Sequence, residues 1–164
     1  MASTYNVVME NQTIVADATL IIIRAATSFA SRGSILEVER ITVSQQGTST
    51  SQQLGIILAQ KASAFGTYTA TTPSPTIIGG VASAIAGGTA GAAATAGTDA
   101  SAEGAGTVTT YHTEGFNNLN GYLWVPTPEE RIIVAMDLAF IVKLRGTPTT
   151  LTGWNASLTF RELH

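Results

Sequence analysis

The clearest pattern along the chain is at its C-terminal end. In "WNASLTFREL" the residues Trp154, Ala156, Leu158 and Phe160 share one parity, while Asn155, Ser157, Thr159 and Arg161 take the other. Alternation with a period of two marks a strand with one face buried. In "DLAFIVKLR" the residues Leu138, Phe140, Val142 and Leu144 alternate in the same way with Ala139, Ile141, Lys143 and Arg145. A helix can also be drawn through Ile133, Met136, Phe140 and Leu144, but the β-rich neighbourhood favours a strand. Upstream, "TIVADATLIIIRAA", "SILEVERITVS" and "LGIILAQ" are short β-branched runs set off by Gly, Ser, Thr and Gln. In the second of these the apolar parity switches between Leu36/Val38 and Ile41/Val43, which predicts a bulge or a strand buried on both faces. "TVTTYHT" and "GYLWV" add two more strands, and "NNLNG" supplies turn residues before the second, with Gly121 free to take a positive φ.

Eight or nine short strands, no long helix and no internal repeat predict an all-β protein. Such a chain must stack or curl its sheets to make a core. The expected architecture is a single β-sandwich domain over residues 1–164, of jelly-roll type. A length of 164 residues suits one domain better than two. A split at residues 72–106 would leave neither flank enough strands to close a core.

Residues 72–106 stand apart. "IIGGVASAIAGGTAGAAATAGTDASAEGAG" is almost all Ala, Gly, Thr and Ser, and no charge occurs between Lys61 and Asp99. A membrane span is not expected, since these small residues supply little transfer energy and Pro73 and Pro75 interrupt the run. The glycines disfavour a helix at about 1 kcal/mol each. The expectation is a long Ala/Gly-rich loop, inserted in the sandwich, that orders on a neighbouring subunit. Residues 1–5 are expected to act in the same way, as an N-terminal arm with Tyr5 as a contact residue.

Composition sharpens this picture. The chain is 45% hydrophobic but only 12% charged, a low value that points to a surface covered in an assembly. The net charge of -3 and the scattered Lys and Arg residues leave no basic stripe for phosphates, so nucleic acid is not an expected partner. The absence of cysteine removes disulfides and thiolate chemistry. "MASTYNVVMENQTIVAD" lacks a basic leader followed by a long apolar run, so export by that route is not expected. The sequons at Asn11 and Asn155 then carry little meaning.

No nucleophile elbow, phosphate-binding loop, dinucleotide fingerprint or zinc-protease motif is present. His112 and Glu114 would share a strand face, but two ligands do not make a metal site. Glu37/Glu39 and Glu129/Glu130 are paired carboxylates. The first pair reads as the wet face of a strand and the second as a rigid polar turn. No catalytic, cofactor or metal residues are assigned, and an enzyme is not expected.

"GFNNLNGYLWVPTPEERIIV" is different in kind. Pro126 and Pro128 fix φ and push Val125 and Thr127 toward extended geometry, which makes a stiff corner. It would either join two sheets or present Trp124, Pro126, Pro128, Glu129, Glu130 and Arg131 to a partner, aromatic and Arg residues being favoured anchors. This stretch, with "LTGWNASLTFREL" behind it, resembles a group of tailed-bacteriophage capsid decoration, or cement, proteins. The PTPEER run is the most specific part, and "MENQTIVADATLIIIRAATSFASRGSILEVERITVSQQGTS" fits the first strands in outline. The chain departs from the group in reading "AMD" after "ERIIV" where a Pro/Gly turn is usual, and in its Ala/Gly loop. The resemblance implies a β-sandwich on the outer surface of the capsid, a homotrimer at three-fold positions, and the phage major capsid protein as partner. A tail, spike or fibre domain for host-surface binding is the first alternative. A jelly-roll enzyme acting on carbohydrate or through a metal is the second.

Overall fold

The computed structural model describes residues 3–27, 35–75 and 92–163. Twelve strands account for most of them: β1 (Ser3–Gln12), β2 (Thr19–Arg24), β3 (Ile35–Gln45), β4 (Gln53–Ala62), β5 (Thr67–Thr71), β6 (Ser74–Pro75), β7 (Thr95–Ala102), β8 (Thr107–Asn117), β9 (Tyr122–Trp124), β10 (Ile133–Val134), β11 (Leu138–Arg145) and β12 (Trp154–Leu163). They form two antiparallel sheets packed face to face. Sheet I runs β10-β3-β12-β1-β6, with β9 also on the free side of β3, and sheet II runs β5-β7-β2-β11-β4-β8. The pairing is nested: the first strand lies against the last, and β2 lies against β11.

The core forms where the alternating faces meet. Val7, Leu36, Val38, Ile41, Trp154, Leu158 and Phe160 come from sheet I, and Ile21, Ile23, Ile56, Leu58, Phe140 and Val142 from sheet II; all are fully buried. Each such side chain contributes about 1.5–3 kcal/mol by leaving water. The parity switch in β3 is a bulge: Val38 faces Phe160 and Arg40 faces Thr159, so Glu39 is the extra residue. β2 and β11 are apolar on both faces because sheet II carries a second small cluster outside. Ile22, Ala59, Ala139 and Ile141 lie there under Phe65 and Tyr68.

The predicted loop over residues 72–106 needs correction. Residues 74–75 and 95–102 are strands, and β7 sits inside sheet II between β5 and β2. Poverty in large side chains does not prevent this, because the ladder needs backbone groups only. Small residues are what the site requires: a Cβ at Gly97 would collide with the ring of Tyr68. Residues 76–91 of the predicted loop lie outside the described residues.

The N-terminal arm is also corrected. Residues 3–5 belong to β1, paired with β12, and residues 1–2 lie outside the described residues. Tyr5 is 3% exposed and stacks on Phe160 at 5.7 Å, so it is a core residue and not a contact residue. Its alternation with Val7 and Met9, all turned inward, carries it there.

Two polar fastenings place β8 and β9. The turn before β8 is held by Lys61, which is fully buried and donates to the backbone carbonyls of Glu103 and Gly104. The Glu103 carboxylate accepts from the Thr19 amide at 2.6 Å and the Thr19 hydroxyl at 2.8 Å, and Lys143 stands 3.5 Å away. Burial pushes the Lys61 amine below its ordinary pKa, Glu103 opposing the shift and Lys143 adding to it. The turn before β9 is held by buried Asn118, which donates to Gln45 Oε1 and to the Thr50 carbonyl and accepts from the Gln52 amide. Gly121 closes that turn at φ 71°, as its sequence predicts.

Candidate functional site

The Pro-Thr-Pro corner leaves sheet I at β9 and returns at β10. β9 pairs with residues 41–43 of β3 and β10 with residues 36–37, so the corner spans the stretch of β3 that contains the Glu39 bulge. Thr127 is extended at φ -64° and ψ 159°, as the residue before a proline should be. Pro128–Glu130 then make one 3₁₀ turn, and the Ile132 carbonyl accepts from the Val38 amide at 2.9 Å to restore the ladder.

A four-residue ion-pair network braces the corner. Arg131 donates to Glu37 at 3.0 Å and Glu39 at 3.3 Å, while Arg161 reaches Glu39 at 2.5 Å and Glu37 at 3.6 Å. The carboxylates are only 13% and 15% exposed, so they do not form the wet face expected of them. Their partners explain why they tolerate this burial. Two acids and two guanidiniums balance, and these carboxylates are committed to holding Arg131. That is a structural role.

The corner faces the last strand of sheet II across a cleft of about 480 Å³. Tyr111 and His112 of β8 line one wall, and Trp124, Pro126, Glu129, Glu130, Arg131, Ile132 and Ile133 line the other. A bulge explains the first wall. Leu58 faces His112 and Ala59 faces Thr110, so Tyr111 is the extra residue, and two consecutive side chains reach the same cleft. Tyr111 donates to Gln60 Oε1, and His112 Nε2 lies 3.3 Å from Glu114 Oε2. One end of this open side is sealed by Phe116 and Tyr122, whose rings stand 5.9 Å apart. Burial, with Glu114 nearby, pushes the Tyr122 phenol up to about 12, and its oxygen has no hydrogen-bond partner among the described residues.

Of the residues expected to meet a partner, Trp124, Pro126, Glu129, Glu130 and Arg131 converge on this cleft. Pro128 is exposed on the 3₁₀ turn but does not line it, and Tyr5 lies in the core. Tyr111 escaped the sequence reading, because "TVTTYHT" gives no parity signal for its bulge. Around the corner Leu123 (65% exposed), Val125 (61%), Ile133 (48%) and Tyr111 (48%) form an apolar rim. His112 and Glu114 do pair, but no group of three or more His, Asp or Glu that could hold a metal occurs among the described residues. Nor, among them, is any helix long and apolar enough to cross a membrane.

Fold and site together define an antiparallel β-sandwich with a braced corner and an aromatic cleft at its open side. The chain matches no family model, no curated protein and no solved structure.

Proposed function

We propose that this protein is a virion structural protein that binds the outside of a phage capsid and stabilises the lattice by bridging major capsid subunits. The nested strand order, β1 beside β12 beside β3 and β2 beside β11 beside β4, is read here as a jelly roll, an architecture used in capsid proteins. The observation that carries the reading is the braced corner. Arg131 is immobilised by two carboxylates, so the exposed Leu123, Val125 and Ile133 are offered on a stiff support with little ordering entropy left to lose on binding. Such a protein works passively: it binds the assembled lattice better than free subunits and so stabilises the assembled state. A homotrimer, made in the host cytoplasm and attached at three-fold positions, would add avidity without a large interface per chain.

Cosedimentation with empty heads tests this, together with the mass in solution by light scattering across a concentration series. Binding to heads and a rise in their melting temperature are expected, and heads that sediment without the protein overturn the reading. A second reading, a tail, spike or fibre domain that recognises a host surface, is favoured by the pairing of Tyr111 and Trp124 across an open cleft, since aromatic rings suit glycan faces. Binding to host cell walls in place of heads would select it.

A further inference from the structure

β8 ends sheet II with eleven residues and, among the described residues, pairs only with β4. Alternate N–H and C=O groups along its outer side therefore pair with no strand among the described residues. Edges of this length are usually blunted by Lys or Pro, yet "TVTTYHTEGFN" contains neither. The Tyr111 bulge interrupts the edge without covering it, and turns Tyr111 and His112 into the adjoining cleft. A strand added to β8 would thus have a ready-made recess for one of its side chains.

The charge of the recess selects that side chain. Glu129 and Glu130 line it, and Glu114, outside the lining, lies 3.3 Å from the His112 ring. Among the described residues the Glu130 carboxylate accepts only from the Thr127 hydroxyl, at 3.2 Å, and no ion pair to Glu129 or Glu130 is formed. Arg131, the one guanidinium in the lining, is already engaged by Glu37 and Glu39. The recess is therefore negative, with an apolar floor of Trp124, Pro126 and Ile132. A Lys or Arg side chain satisfies both, its stem packing on the rings and its cation meeting the carboxylates.

We propose that the β8 edge and its cleft bind an extended segment of a partner chain, added to sheet II as a strand and carrying a Lys or Arg that enters the cleft. This goes beyond attachment to a shell, since a peptide groove can serve any assembly that supplies the segment.

The test is to pan a display library of random peptides, about nine residues long to match a strand, against the full chain and to resynthesise the selected sequences. They should share one Lys or Arg between apolar neighbours. Norleucine at that position, or the E129Q/E130Q double variant of the protein, should weaken binding about ten-fold. Methylating alternate backbone nitrogens of the peptide should abolish binding with every side chain intact, and bound peptide should slow amide exchange along β8. Failure to select any peptide, selection without a basic residue, tolerance of backbone methylation, or protection mapping elsewhere would each overturn the proposal. So would protection of β8 that rises with protein concentration alone, which assigns the edge to a second copy. Head cosedimentation read in parallel keeps the two readings separate: heads bound without peptide capture overturn only the groove, and capture without head binding overturns only the shell.

Discussion

Two connections are tied to this sandwich by charged side chains, and they are tied by opposite means. On sheet I the Pro-Thr-Pro corner is fixed by Arg131 against Glu37 and Glu39, with Arg161 completing a balanced set whose members keep some contact with water. On sheet II the turn before β8 is fixed by Lys61, which has no such contact and places its ammonium on two backbone carbonyls beside the Glu103 carboxylate. The first tie sets two largely buried carboxylates against two guanidiniums that reach water, so each charge keeps a partner when one is lost. The second buries a cation whose desolvation is offset only while Glu103 and the carbonyls stay in place. The two walls of the cleft thus rest on supports of unequal strength.

The largest effect should come from Glu103→Ala. It removes the carboxylate whose charge favours the buried Lys61 ammonium, breaks the Lys143 ion pair and frees the Thr19 amide and hydroxyl, and a loss of about 2–3 kcal/mol is expected. Lys61→Met should cost less, about 1–2 kcal/mol, because it removes the charge along with its hydrogen bonds. Chemical denaturation of the two variants checks the order, and a larger loss in Lys61→Met would reverse the assignment of the strained partner. pH separates them further. The folded-state pKa of Lys61 is lowered, so its contribution is fully present above about pH 10.4, the ordinary lysine value, and is lost as pH falls through the lowered value. The wild type should therefore gain stability relative to Lys61→Met as pH rises toward that limit.

Arg131→Ala should cost about 1–2 kcal/mol, because it leaves two largely buried carboxylates with Arg161 alone, and the difference from wild type should shrink in high salt. Its effect should be local. Amide exchange should accelerate at Val38, whose amide is bonded to Ile132, while β8 stays protected as before. Arg131→Lys should recover only part of the loss, because one ammonium cannot reproduce the two directed bonds of the guanidinium. If exchange along β8 rises as much as at Val38, the corner and the edge strand are one cooperative unit and the contrast between them fails.

Much of this was legible in the residues. The alternation of Trp154 to Phe160, the parity switch around Glu39, the Gly121 turn and the stiffness of the proline corner are all local rules, written in consecutive residues. What stayed hidden depends on partners distant in the chain. Small side chains between 95 and 102 suggest a loop until β2 and β5 are seen on either side, where backbone pairing decides. Tyr5 looks terminal and free until Phe160 lies beneath it. Glu37 and Glu39 look wet until Arg131, more than ninety residues away, is brought beside them. Sequence thus marked the corner but not the cleft, because the second wall is set by a bulge in a strand without apolar alternation.

The smallest effect bears on the sealed end of that open side. Tyr122 packs against Phe116 with its phenol oxygen buried and without a partner among the described residues, so Tyr122→Phe removes an unsatisfied group at almost no cost in shape. Stability near neutral pH should rise by up to about 1 kcal/mol. The alkaline limb should change more clearly. Because the folded-state pKa is raised to about 12, the unfolded chain ionises first: the contribution is complete below about pH 10 and is lost as pH rises toward the folded value. Wild type should therefore weaken across that window through this residue, and Tyr122→Phe should not. Urea midpoints compared at neutral pH and within that window decide the matter. Parallel loss in both proteins would mean that the Phe116–Tyr122 seal opens to water, and that the cleft extends along the whole side of the sandwich.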